Sequence, residues 1–109
     1  MKRGELLGSL EHILLLALMR LEEAHGMDIR REIEARTGRD ISIGAVYATL
    51  ERLEEKGYVS SFIAEATPER GGRSKRIFQL RAAGKRALQV SEETIRSMTA
   101  GIKVRLNTT

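Results

Sequence analysis

The segment Ile43–Val59, IGAVYATLERLEEKGYV, contains the change of periodicity that decides the fold. Apolar residues recur in its first part every three or four positions, which predicts a helix over residues 43–56 with one buried face. Gly57 is of the type that commonly follows the last turn of a helix. From Tyr58 onward, aromatic and β-branched residues predict a strand. The segment therefore indicates a helix that leads directly into β-structure.

Two more helices are predicted before this segment. Residues 5–23 carry apolar side chains on more than one stripe, so this helix is expected to be covered on most sides. A second helix is predicted over Met27–Arg36, and in the turn after it Gly38 is placed to adopt the left-handed conformation. Ser42 then offers a hydroxyl group that can cap the third helix.

The chain beyond Tyr58 is expected to form a hairpin. The first strand is predicted to run for about eight residues and to end by Pro68, and a second strand is predicted over Arg76–Leu80, with Gly71–Gly72 at the bend. Two helices joined by a short turn that contains glycine, followed by a hairpin, are typical of a winged helix-turn-helix. In that fold the third helix enters the major groove of DNA and the hairpin is the wing.

A last helix is predicted from about residue 82 to about Leu106. Leu88, Ile95 and Ile102 lie seven residues apart, which is a coiled-coil-like repeat that Ser91 weakens. The expected fold class is therefore mainly α, of the α+β kind, with three helices, a two-stranded wing and a C-terminal helix. We expect residues 1–81 to form the DNA-binding domain and residues 82–109 the last helix and tail.

Composition excludes several classes of function. The 19 Lys and Arg against 15 Asp and Glu give a net charge of +4, which suits a polyanionic partner. There is no cysteine, and His12 and His25 are too far apart for a convincing zinc site. The longest apolar run, Ile13–Met19, is too short to span a bilayer, and no signal peptide is expected. We therefore expect a cytoplasmic protein without a metal or cofactor.

The tip of the predicted wing is strongly basic. From Glu69 to Arg76 four cations stand against one acid, a local net charge of +3. Cations on a hairpin suit DNA phosphates and supply affinity that falls steeply with salt, although such charges can also serve only to solubilise a turn. The predicted phosphate-binding residues are Arg70, Arg73, Lys75 and Arg76.

Small residues line the leading face predicted for the third helix. Because the major groove is about 12 Å wide, small side chains allow the helix backbone to approach the bases. Alternatively, Gly44 and Ala48 pack against another helix. The predicted reading face consists of Ser42, Gly44, Ala45, Ala48 and Thr49, beside Arg52.

The sequence gives no support for an enzyme. Gly71–Lys75 is superficially similar to a phosphate-binding loop, but the spacing is wrong and a strand is predicted where that loop requires a helix. No nucleophile with an adjacent base and no metal cluster is present. A winged-helix module that binds protein instead of DNA is the alternative function, and failure to bind any duplex DNA would favour it.

Two runs of the sequence closely resemble the PadR family of transcription regulators. They are Gly26–Ile33, GMDIRREI, and the segment Ile43–Val59 quoted above. Thr67–Arg76, TPERGGRSKR, resembles the wing of the family, and Leu80 followed by Ala83–Gly84 and Leu88 resembles the entry to its last helix. The resemblance covers about residues 7–88.

The resemblance implies a homodimer that binds double-stranded DNA, usually as a repressor, and in some members releases it in response to small molecules. It assigns Ser42, Gly44, Tyr47 and Thr49 to DNA contacts of the recognition helix, and Arg73, Lys75 and Arg76 to the wing. An effector pocket would lie between subunits, lined by Leu14, Leu18, Ile95 and Met98. The predicted dimer interface consists of Leu14, Leu18, Leu88, Ile95, Met98 and Ile102.

Overall fold

Seven elements of secondary structure follow one another in the computed structural model, which describes residues 6–65 and 74–102. They are α1 (Ser9–Leu21), β1 (Glu23–Ala24), α2 (Gly26–Thr37), α3 (Ile43–Glu55), β2 (Val59–Ala64), β3 (Lys75–Leu80) and α4 (Ala82–Thr99). The predicted order of helices and strands is confirmed, and the winged-helix fold gains one strand, β1, that the sequence pattern did not predict. The bend predicted at Gly71–Gly72 lies outside the described residues.

α1 is the central helix of the core. Leu14, Leu15 and Leu18 are completely buried, because α1 packs against α2, α3, α4 and β3. Glu11, in its first turn, accepts hydrogen bonds from the backbone N–H of Gly8 at 3.0 Å and from Lys56 Nζ at 2.9 Å. Burial alone would raise the pKa of the Glu11 carboxyl, but these two hydrogen bonds hold it below its ordinary value.

The three strands form an antiparallel sheet in the order β1-β3-β2. β3 is its central strand and pairs with β2 from Val59 opposite Leu80 to Ala64 opposite Lys75. On its other side it pairs with β1, where Glu23 lies opposite Gln79. The base of the wing is therefore held on both sides.

The turn between α2 and α3 has the local structure that the sequence predicts. Gly38 has a φ of 73°, and Ser42 Oγ accepts the backbone N–H of Ala45 at 3.1 Å, so both predicted caps are confirmed. Arg30 then fixes the turn, since it donates to the carbonyl oxygen of Ile41 at 2.6 Å and to Asp40 Oδ1 at 2.7 Å. These bonds set the orientation of α3 relative to α2.

The buried residues of α4 all come from the stretch Gly84–Ser91, within the part of the chain that the structure describes. Gly84, Leu88 and Ser91 are buried, and Ser91 Oγ accepts the backbone N–H of Leu7 at 3.1 Å. Ser91 is thus a buried polar contact within the chain and does not weaken a seam between helices. Met98, by contrast, is 76% exposed.

Three residues of the predicted dimer interface lie elsewhere. Leu14 and Leu18 are 0% exposed and Leu88 is 4% exposed, because all three belong to the core of their own chain. The prediction that they form the dimer interface is therefore wrong. The effector pocket between subunits stays a prediction. No helix in residues 6–65 and 74–102 has the length and apolar character that a membrane span requires.

Candidate nucleic-acid interface

The exposed face of α3 is built from small residues, as its sequence predicts. Ser42, Gly44 and Ala48 are exposed and Ala45 is half-buried. A Cβ atom added at Gly44 would meet no atom within 4 Å, so no other part of the described chain packs against Gly44. Arg52 lies farther along α3 and is also exposed. A groove in a partner molecule can therefore approach the backbone of the first turns of α3.

Thr49 does not belong to this face. Its side chain is 1% exposed, and its hydroxyl donates to the carbonyl oxygen of Ala45 at 2.8 Å. The helical period places it three residues after Val46 and four before Leu53, both of which are fully buried. The prediction that Thr49 lies on the reading face is therefore wrong, because its place in the period outweighs its small size.

Tyr47 connects α3 to both of its neighbours in the core. A Cβ atom at Gly26 of α2 would lie 2.6 Å from Tyr47 Cζ, so only glycine leaves room for the ring. On its other side the ring centroid lies 6.2 Å from that of Phe78 in β3, with the planes inclined by 58°. Tyr47 is half-buried between these contacts. Its position explains why glycine stands at the start of α2.

The described part of the wing contains two of the four predicted phosphate-binding cations. Arg70 and Arg73 lie outside the described residues. Lys75 is the first residue of β3, is half-buried and pairs with Ala64 across the hairpin. Arg76 follows it.

Arg76 is surrounded by acceptors from the same chain. Its Nη1 donates to Glu51 Oε1 at 3.0 Å and its Nη2 to Glu54 Oε1 at 2.5 Å. Its Nε donates to Ser61 Oγ at 3.1 Å, and Cζ lies 4.8 Å from the centroid of the Phe78 ring. The hydrogen bond to Glu51 and the charges of both carboxylates raise the pKa of the guanidinium above its ordinary value, although burial opposes them. The position of Arg76 differs from that expected of a free phosphate-binding cation.

Two features of this site were missed by sequence reasoning. Glu51 and Glu54 lie three residues apart on α3, a spacing that places both carboxylates on one helix face, toward the hairpin. The sequence of the wing identifies Arg76 as a cation and does not identify its partners. The close contact between Gly26 and Tyr47 also had a signal, since a glycine in the first turn of a helix has a poor helix propensity.

The second half of α4 presents a separate apolar surface. Ile95 is 52% exposed and Met98 is 76% exposed, and Ile102 is half-buried just beyond the end of the helix. Ile95 and Met98 lie three positions apart on one face of α4. Both belong to the predicted dimer interface.

Comparison with known proteins gives consistent matches. A family model described as the transcriptional regulator PadR-like family matches residues 15–90. The chain is similar to the solved structure of a PadR family transcription regulator from Clostridium difficile R20291, with a TM-score of 0.76 and 19% identity over 92% of this chain and 100% of that one. A PadR family transcriptional regulator from Eggerthella lenta DSM 2243 gives a TM-score of 0.69 and 22% identity over 89% of this chain and 83% of that one.

A third similar structure is F93 from STIV, a winged-helix DNA-binding protein. Its TM-score is 0.65, with 20% identity over 83% of this chain and 90% of that one. No curated protein matches the sequence. At these identities the structural similarities show the fold, which is a winged helix.

Proposed function

The chain belongs to the PadR-like family of transcriptional regulators, and from this premise we propose that it is a cytoplasmic, dimeric repressor that binds double-stranded DNA sequence-specifically. The role that family membership implies is regulatory and not catalytic. The observation that carries the proposal is the exposed face of small residues on α3, a helix that Glu51 and Glu54 join to the base of the wing.

The two parts of the proposed interface have different tasks. Ser42, Gly44, Ala45 and Ala48 allow α3 to approach base edges in the major groove, and Arg52 offers hydrogen-bond donors of the kind that recognise guanine. Arg70, Arg73 and Lys75 of the wing bind phosphates. Phosphate contacts set affinity and its dependence on salt, whereas contacts to base edges set sequence preference.

The proposed dimer forms through the second half of α4. Exposed apolar residues at Ile95 and Met98, together with Ile102, give a surface that a second copy of the chain can cover. Two-fold symmetry would then present two α3 helices to successive major grooves, about 34 Å apart, on a roughly palindromic site. Release of DNA by a small-molecule effector stays a prediction.

Titration of labelled duplex DNA tests the proposal. Fragments of the source genome are first selected by binding to the full chain and are then titrated at several salt concentrations, with a random duplex of equal length as reference. We expect binding that favours the selected fragments and weakens steeply with salt. Absence of binding, or binding indifferent to salt, would contradict the proposal.

Two variants that each remove one positive charge distinguish phosphate binding by the wing from a general effect of surface charge. Arg73→Ala should weaken binding to all duplexes and lower the slope of log K against log salt by roughly 0.9, the contribution of one phosphate. Arg20→Ala removes the same charge from the exposed side of α1 and should leave the slope almost unchanged. If Arg73→Ala changes sequence preference more than affinity, the division of tasks is wrong.

A further inference from the structure

We propose that Arg76 is a positioning residue that fixes the base of the wing to the recognition helix, and that it does not bind phosphate itself. The proposal rests on the proposed DNA-binding function and assigns a new role to one residue within it. Its basis is the set of hydrogen bonds that joins Arg76 to α3 and to β2 at the same time.

All three nitrogen atoms of the Arg76 guanidinium donate to groups of its own chain. Two of the acceptors, Glu51 and Glu54, belong to α3, and the third, Ser61, belongs to the strand that pairs with β3. The network closes on itself, since Ser61 Oγ also donates to Glu54 Oε2 at 2.8 Å. A planar guanidinium can make such a set of contacts in one orientation only, which makes it suitable for holding two elements together.

A contact with the ring of Phe78 supports the same orientation of the Arg76 guanidinium. The guanidinium carbon lies 4.8 Å from the centroid of Phe78, which is completely buried, and Phe78 contacts Tyr47 of α3. Arg76 precedes Phe78 by two residues, so both side chains lie on the same face of β3. Arg76 thus belongs to a continuous contact between the described part of the wing and α3.

The negative charge of Glu54 allows the two possible roles of Arg76 to be distinguished by DNA affinity. A carboxylate close to bound DNA weakens binding by repulsion, so removal of Glu54 would ordinarily tighten binding. If Arg76 bound phosphate, loss of Glu54 would also free it to do so. If Arg76 instead fixes the wing, loss of Glu54 loosens the wing and weakens binding, because an interface that is not held in its binding geometry has to be ordered on association. The two roles predict effects of opposite sign.

The experiment compares two variants that each remove one negative charge from α3. Glu54→Gln breaks the contacts with Arg76 and Ser61. Glu55→Gln is the matched control, because Glu55 is exposed and has no ion-pair partner among residues 6–65 and 74–102. Both are titrated with the selected fragment used for the unchanged chain, at several salt concentrations, and thermal unfolding is followed for each.

We expect Glu54→Gln to weaken DNA binding about tenfold, the size of coupling found within one ion-pair network, and to lower the steepness of its salt dependence. Glu55→Gln should bind as tightly as the unchanged chain or more tightly. Arg76→Lys keeps the positive charge but cannot make the forked contacts, so it should resemble Glu54→Gln. A purely structural defect would lower the unfolding temperature without selectively reducing the salt slope.

The outcomes distinguish this proposal from the proposed function. If the unchanged chain does not bind DNA, the proposed function fails. If it binds and Glu54→Gln binds equally well or more tightly, with an unchanged or steeper salt dependence, the positioning role of Arg76 is overturned. Full binding by Arg76→Lys would also overturn it, because a simple charge would then suffice.

Discussion

The two halves of α4 carry the same sequence repeat and have opposite surroundings. Leu88 and Ile95 lie seven residues apart, at equivalent positions of a heptad. Leu88 is 4% exposed and belongs to the core of its own chain, whereas Ile95 is 52% exposed. An apolar repeat therefore shows that a face needs to be covered and does not show what covers it. In this helix the first half completes the domain, and the second half exposes apolar side chains.

Substitution of Leu88 gives the largest expected effect on folding. Leu88→Ala should lower the free energy of unfolding by about 2–5 kcal/mol, because it leaves a cavity between α4 and the core. Denaturant unfolding at low protein concentration measures the change. A decrease below about 1 kcal/mol would contradict the assignment of Leu88 to the core, since the first half of α4 would then contribute no more to stability than an exposed segment does.

The close approach of α4 to Tyr58, the residue before β2, gives the next effect. A Cβ atom at Gly84 would lie 2.3 Å from the carbonyl oxygen of Tyr58, a backbone atom that cannot move aside cheaply. We expect Gly84→Ala to destabilise the chain by about 1–3 kcal/mol despite the better helix propensity of alanine. Gly44→Ala on α3 is the control, because nothing lies within 4 Å of that position, and it should stabilise the chain by up to about 1 kcal/mol. Equal effects of the two changes in thermal unfolding would contradict this account.

The boundary between the halves lies near Glu92. Its carboxylate is 2.5 Å from His12 Nε2 of α1, with the His12 side chain 11% exposed and that of Glu92 47% exposed. Because one partner is largely exposed, Glu92→Gln should cost no more than about 1 kcal/mol of unfolding free energy. Glu93→Gln, which removes the same charge one position along, should have no measurable effect on unfolding. If both variants behave alike, the anchored half of α4 ends before Glu92.

The second half of α4 should contribute least to the stability of the single chain. Ile95→Ala is expected to change the unfolding free energy by less than about 0.5 kcal/mol at a concentration where the chain is monomeric. The same substitution, and more strongly Ile95→Asp combined with Met98→Asp, should shift the mass measured by light scattering from dimer to monomer. A dimer that survives the double change would place the interface elsewhere.

Much of the fold could be predicted because its signals are local. Helical periods, the glycine of the turn and the serine cap of α3 each depend on residues within one or two turns of each other. β1 could not be predicted, since two residues have no period and their partners in β3 lie far along the chain. The burial of Leu14 and Leu18 has the same explanation, because α1 carries apolar side chains on several sides and its packing against distant elements determines which of them are buried.

The candidate site also contains residues that could be predicted from the sequence and residues that could not. The small residues of α3 could be recognised from composition and period, although Thr49 shows that the period decides burial when size suggests exposure. The pairing of Arg76 could not be recognised from charge counting, because its carboxylate partners lie on α3, well before it in the sequence. Long-range pairing decides whether a cation is available to a partner, and local sequence reports only that the cation is present.

The hydrogen bond between the Leu7 backbone and Ser91 also has a consequence for the order in which the protein is made. The two residues are 84 positions apart. At usual rates of translation, roughly 4 to 17 s separate their synthesis. For most of that interval α1 has already been made, while the helix that covers it has not. The domain therefore completes its folding only after synthesis has reached α4, and a nascent chain released earlier would carry an uncovered apolar helix.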